Sequence, residues 1–143
     1  MLATFAPRFI DAKLFWIQAQ YDSFVLQFIL RLPCITKGKT GPYSYTFEKC
    51  KPHQLLPMDF TRSVLLEQVL YPLVKQGHSV WSNACVWHSV ISENTIYFSD
   101  NQKASVQGKN ITIQEALESY VFDNEKINEI DAYPWPYNRG CAF

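Results

Sequence analysis

Two stretches of period-two hydrophobicity constrain this chain more than anything else in it. From Phe24 to Leu32, the residues Phe24, Leu26, Phe28, Leu30 and Leu32 fall on one side, with Val25, Gln27, Ile29 and Arg31 on the other. From Val80 to Ile91, one side carries Val80, Ser82, Ala84, Val86, His88 and Val90, the other Trp81, Asn83, Cys85, Trp87, Ser89 and Ile91. Successive side chains on a strand point to opposite faces, so alternation predicts strands. Tyr21-Asp22-Ser23 then reads as a hairpin turn joining Lys13–Gln20 to the first stretch. Ser92-Glu93-Asn94 and Asp100-Asn101-Gln102 read as turns of a meander that continues through Thr95–Phe98 and Lys103–Val106.

Helical signals lie between and after these stretches. Asp59 or Thr61 can cap a helix whose apolar residues are Val64, Leu65, Val69, Leu70, Leu73 and Val74; Gly77 stops it, and Pro72 interrupts it. Thr112-Ile113-Gln114-Glu115 has capping-box spacing, and Ile113, Leu117, Tyr120 and Val121 form a stripe behind it. A further short helix is expected from Asn124 to Ile130. The expectation is an α+β domain over residues 1–132, with an antiparallel sheet made of an N-terminal hairpin and a C-terminal meander and two to three helices packed on it. Residues 133–143 follow as an aromatic, proline-punctuated tail.

Composition excludes some classes. The 143 residues hold 48% hydrophobic and 18% charged side chains, too much apolar surface for a disordered chain. No uncharged apolar run reaches membrane-spanning length, and the first residues lack the basic region of a signal peptide. Lys and Arg balance Asp and Glu at 13 each, but residues 1–62 are basic and residues 112–131 acidic. Four widely spaced cysteines (Cys34, Cys50, Cys85, Cys141) in a chain without a signal peptide are expected to be reduced thiols in the cytoplasm.

The motifs that suggest chemistry each lack a part. Lys37-Gly38-Lys39-Thr40 ends like a phosphate-binding loop, but Pro33 stands where the first Gly is required and Gly41-Pro42 follows in place of a helix. Cys50, His53, Cys85 and His88 form a Cys-x2-His pair repeated 35 residues apart, adequate ligands for zinc. On a strand, however, Cys85 and His88 would point to opposite faces. Cys85 could also be a thiol nucleophile, with His78 or His53 as base and Asn83 or Asp100 orienting it. An apolar strand raises a thiol's pKa, which opposes that role. Gly77-His78-Ser79-Val80-Trp81 resembles a serine nucleophile elbow with Trp81 in place of the second Gly. Glu115 with Glu118 reads as a solvated helix face, and Glu93, Asp100 and Lys103 read as turn residues before they read as a nuclease site.

Ten Phe, eight Tyr and four Trp exceed what a small core needs. Tyr43, Tyr45, Tyr133, Trp135 and Tyr137 sit in polar loops or the tail, near Lys37, Lys39 and Arg139. Such residues anchor protein interfaces. The expected function is therefore a non-catalytic binding or regulatory protein without a cofactor, a monomer or homodimer whose partner is another protein and not a membrane. The contact surface is assigned to Lys37, Lys39, Tyr43, Tyr45, Tyr133, Trp135, Tyr137 and Arg139. The alternatives are single-stranded nucleic-acid binding through the same residues, and a zinc-containing or thiol-dependent hydrolase centred on Cys85 and His88.

Overall fold

The computed structural model describes residues 6–37, 45–88, 103–106, 108–135, 137 and 141. A three-residue strand β1 (Phe15–Ile17) lies beside β5 (Ser79–Ser82), which lies beside β9 (Asn128–Ile130), and all three run parallel. The line of β1 continues into β2 (Tyr21–Asp22), which pairs in parallel with β6 (Val86–Trp87). Two antiparallel ribbons flank this arrangement: β3 (Thr36–Lys37) with β4 (Tyr45–Thr46), and β7 (Lys103–Val106) with β8 (Lys109–Thr112).

The parallel sheet corrects the expected antiparallel one, and connectivity is the reason. Parallel neighbours need a long crossover, usually helical. Between β1 and β5 the chain runs through α1 (Pro52–Leu65), a π turn (Leu66–Leu70) and α2 (Tyr71–Lys75); between β5 and β9 it runs through α3 (Ile113–Phe122). Strand β5 is buried at all four positions. Val80 packs with Leu66, Leu70, Leu73 and Ile130 on one side. Trp81 packs with Ile113, Ala116 and Ile127 on the other. The alternation in Val80–Trp81 thus marks a strand covered on both faces.

Residues Phe24–Leu32 do not form the expected strand, and there is no hairpin at Tyr21-Asp22-Ser23. The Asp22 carboxylate accepts the backbone N–H groups of Phe24 (2.8 Å) and Val25 (3.2 Å), which starts a helical turn. A π turn follows over Val25–Ile29, with the Leu30 N–H on the Val25 carbonyl at 2.9 Å and Leu26 buried. A short polar acceptor at the start of a helical turn outweighs the period-two pattern here. The expected strand over Val80–Ile91 breaks after Ser82: Asn83, Ala84 and Cys85 form a bend before β6, and residues 89–91 lie outside the described residues. The meander strand Thr95–Phe98 and its two turns lie outside them as well. The expected helix at Asn124–Ile130 is the edge strand β9, because Asn124 adopts a left-handed φ of 53° that ends α3.

The helix between the strands begins earlier than expected. Pro52 occupies the first position of α1, where a missing N–H costs nothing, and the Gln54 side chain accepts the Lys51 N–H at 2.9 Å. The π turn precedes Pro72, which sits in the first turn of α2, where its missing N–H is tolerated. At the far end Gly77, at φ 93°, lets its own N–H reach Val74 and the His78 N–H reach Leu73, both at 3.1 Å. The Thr112 capping box is formed, with the Thr112 N–H on Glu115 at 2.8 Å and the Glu115 N–H on Thr112 Oγ1 at 3.1 Å. The Thr112 N–H and the Thr112 hydroxyl, which donates to the same carboxylate oxygen at 2.9 Å, hold the Glu115 carboxyl below its ordinary value.

The cysteines are not free thiols. Cys34 bonds to Cys50 across 16 residues and Cys85 to Cys141 across 56. Loop-closure entropy gives about 3 and about 4 kcal/mol for loops of those lengths. Full reduction is therefore expected to lower the thermal midpoint by on the order of 15–30 °C, measured by circular dichroism with and without reductant. An unmoved midpoint would mean that the two bridges do not restrict the unfolded chain as loop closure requires.

Candidate functional site

Parallel pairing of β2 with β6 sets Tyr21 beside Val86 and Asp22 beside Trp87. Both strands end there, so the next residue after β6, His88, arrives beside the Asp22 side chain. His88 Nδ1 lies 3.0 Å from Asp22 Oδ1 and 3.1 Å from Oδ2. A carboxylate only accepts, so Nδ1 carries the hydrogen, and in the neutral imidazole it is Nε2 that has the lone pair. The His88 side chain is 50% exposed and that of Asp22 21%, which leaves the pair open to a ligand. Asp22 is fixed in turn by the two backbone N–H groups it accepts. The ring of Phe24 stacks on the imidazole, with centroids 5.2 Å apart.

A buried polar network holds the strand ends in place. The Asp131 carboxylate, fully buried, accepts the N–H of Ala84 at 3.3 Å and of Tyr133 at 3.0 Å. Gln20 donates to the Asp131 carbonyl at 2.9 Å and accepts Arg62 Nε at 2.6 Å; Arg62 also donates to the carbonyls of Asp131 and Ala132. One helix and three strand ends are thereby tied together at the bend that leads to His88. Burial pushes the Asp131 carboxyl up, against the hydrogen bonds and the Arg62 charge that lower it.

The chain after β9 is packed against the site. Trp135 donates its N–H to the Tyr21 hydroxyl at 3.2 Å, and its ring meets Phe47 edge-on at 5.3 Å. Phe47 in turn meets Tyr21 edge-on at 5.7 Å. Burial pushes the Tyr21 phenol up, opposed by that hydrogen bond. Cys141 is buried in its bridge to Cys85, three residues before His88.

The residues singled out in the sequence are scattered by comparison. Tyr45 is half-buried against the Tyr21–Phe47 cluster, and Trp135 packs there too. Tyr133 and Tyr137 are exposed. Lys37 ends β3, while Lys39, Tyr43 and Arg139 lie outside the described residues. His53 is exposed at the start of α1. Cys50 and Cys85 are both in disulfides, which removes the Cys/His zinc set and the thiol nucleophile together. His88 alone of that set reaches the site. Asp22, read as a turn residue, is its partner, and 66 positions separate the two. No local pattern signals a pairing at that separation.

A family model described as pectinacetylesterase matches residues 1–142. No curated protein and no solved structure matches the chain. The family match overturns the expected non-catalytic binding or regulatory role and points to a hydrolase. It favours the hydrolase alternative, with the thiol chemistry removed by the disulfide at Cys85.

The buried Asp131 makes a prediction about stability. Its native carboxyl titrates above its unfolded value, so its ionisation costs stability as pH rises from the ordinary carboxylate range through the native value. Asp131→Asn removes that cost. The stability of the wild type relative to Asp131→Asn is expected to be greater at pH 4 than at pH 7 in urea melts, and a difference independent of pH would contradict the assignment.

Proposed function

The chain belongs to the pectinacetylesterase family, and from that premise we propose that it hydrolyses acetyl esters of pectin, with His88 as general base and Asp22 as the carboxylate that orients it. One observation carries the proposal: an exposed imidazole held through Nδ1 by a carboxylate, at the carboxyl ends of two parallel strands. Ligands of parallel α/β sheets bind outside those ends.

The chemistry follows from the tautomer. His88 Nε2 takes the proton of an attacking hydroxyl as its oxygen bonds to the acetyl carbonyl carbon. The imidazolium so formed is stabilised by Asp22, which stays ionised. Nε2 then returns the proton to the sugar oxygen as the ester C–O bond breaks, so the sugar leaves as a neutral alcohol. In α/β-hydrolases the order along the chain is Ser, Asp, His. Asp22 and His88 keep that order, and residues 1–21 contain no serine. His88 and Asp22 are the acid–base pair; attack by water frees acetate directly, whereas attack by a hydroxyl leaves the acetyl group on that oxygen until Nε2 deprotonates a water that displaces it as acetate. Two disulfides support an oxidising compartment for this work, in place of the expected cytoplasm.

The test is acetate release from acetylated pectin by the full chain. His88→Ala and Asp22→Asn are each expected to cut kcat by roughly a hundredfold or more. His53→Ala, remote in sequence and exposed, is expected to leave it unchanged. Absence of acetate release, or a rate that His88→Ala does not alter, would overturn the proposal.

A further inference from the structure

His88 is held on two sides, and only one of them is polar. The Asp22 carboxylate holds Nδ1 at the ring edge. The ring of Phe24 lies against the face of the imidazole, 5.2 Å away and inclined by 27°. Phe24 is placed by the same carboxylate, because its own N–H donates to Asp22 Oδ1 at 2.8 Å. Behind it stands Phe28, one helical turn on, with ring centroids 5.0 Å apart. Asp22, Phe24 and His88 thus form a closed three-way contact at the mouth of the site.

Phe24 is 46% exposed and Phe28 65% exposed, and neither belongs to a buried cluster. Core packing therefore does not account for where the Phe24 ring sits. A half-exposed imidazole held by one carboxylate alone can swing away from it into water. A ring stacked on its face removes that freedom at no cost in hydrogen bonding. The aromatic face also attracts positive charge, so the contact strengthens when the imidazole becomes an imidazolium.

We infer that Phe24 is a positioning residue for His88, its ring holding the imidazole on Asp22 and favouring the protonated form that arises during ester cleavage. The inference rests on His88 being the general base. It requires an aromatic ring at position 24 and not merely apolar bulk. Because the effect grows with the charge on the imidazole, it falls on kcat and not on KM.

The experiment compares Phe24→Leu, Phe24→Tyr, His88→Ala and Phe60→Leu in the full chain, with p-nitrophenyl acetate as the probe and 15N-labelled imidazole spectra as a second readout. Phe60, 71% exposed on α1, controls for loss of a surface ring. Phe24→Leu is expected to lower kcat roughly three- to tenfold at unchanged KM, with an unchanged thermal midpoint. Phe24→Tyr is expected to stay within about twofold of wild type, since it keeps a stacking ring. The hydrogen-bonded Nδ1–H signal of His88 is expected to persist in the wild type and in Phe24→Tyr and to broaden in Phe24→Leu. Wild-type kcat and an unchanged Nδ1–H signal in Phe24→Leu would overturn the inference. Equal rates for the wild type and His88→Ala would instead overturn the general-base reading, and the imidazole spectra would still decide what Phe24 does.

Discussion

The Asp131 carboxylate governs the geometry of everything near His88. It is sealed from solvent, yet it accepts the backbone N–H of Ala84, in the bend between β5 and β6, and that of Tyr133, in the chain that follows β9. A buried charge of this kind destabilises unless every lone pair finds a donor. Here the donors are backbone groups, and Arg62 supplies the opposite charge through the adjoining carbonyls. Removing the carboxylate would take the acceptor away from both N–H groups at once. The network therefore fixes where β5 ends and β6 begins, and with it the position of His88.

Cys85 adds a covalent restraint at the same place. Its bridge to Cys141 brings the end of the chain back beside β6, while Trp135 donates to Tyr21, the residue before Asp22. Asp22 and His88 are thus both backed by residues from beyond β9. Restraint of this kind matters for short strands. Neither β2 nor β6 has more than two residues, and two ladder pairs could not hold an imidazole to within hydrogen-bonding distance of a carboxylate.

What the sequence made legible was local, and what it concealed was long-range. The Thr112 capping box, the stop at Gly77 and the strand character of Val80–Ser82 all depend on neighbours within a few positions, and all are formed. Alternation alone could not say that β5 is covered on both faces, because Ser79 and Ser82 give it polar positions that are buried all the same. Nor could it separate Phe24–Leu32 from a strand, since the deciding group is the Asp22 side chain and not the apolar pattern. The cysteines mislead by spacing: bridges across 16 and 56 residues leave no compact signature. The thiol chemistry of Cys85 goes with them, since its sulfur is in a bridge.

Asp22 shows why the site itself was hidden. Its type and position suit a turn, and in part it does serve a turn, by accepting the N–H groups of Phe24 and Val25. The same oxygen that accepts them also faces His88. One carboxylate thus starts a helical turn and orients a base, and the first role is visible in sequence while the second is not. The double duty has a physical benefit. A carboxylate already bound by two backbone donors cannot rotate to follow the imidazole, so the imidazole must come to it. That fixed acceptor gives a half-exposed imidazole one direction, and a parallel β2–β6 pairing is what delivers the two residues to the same edge.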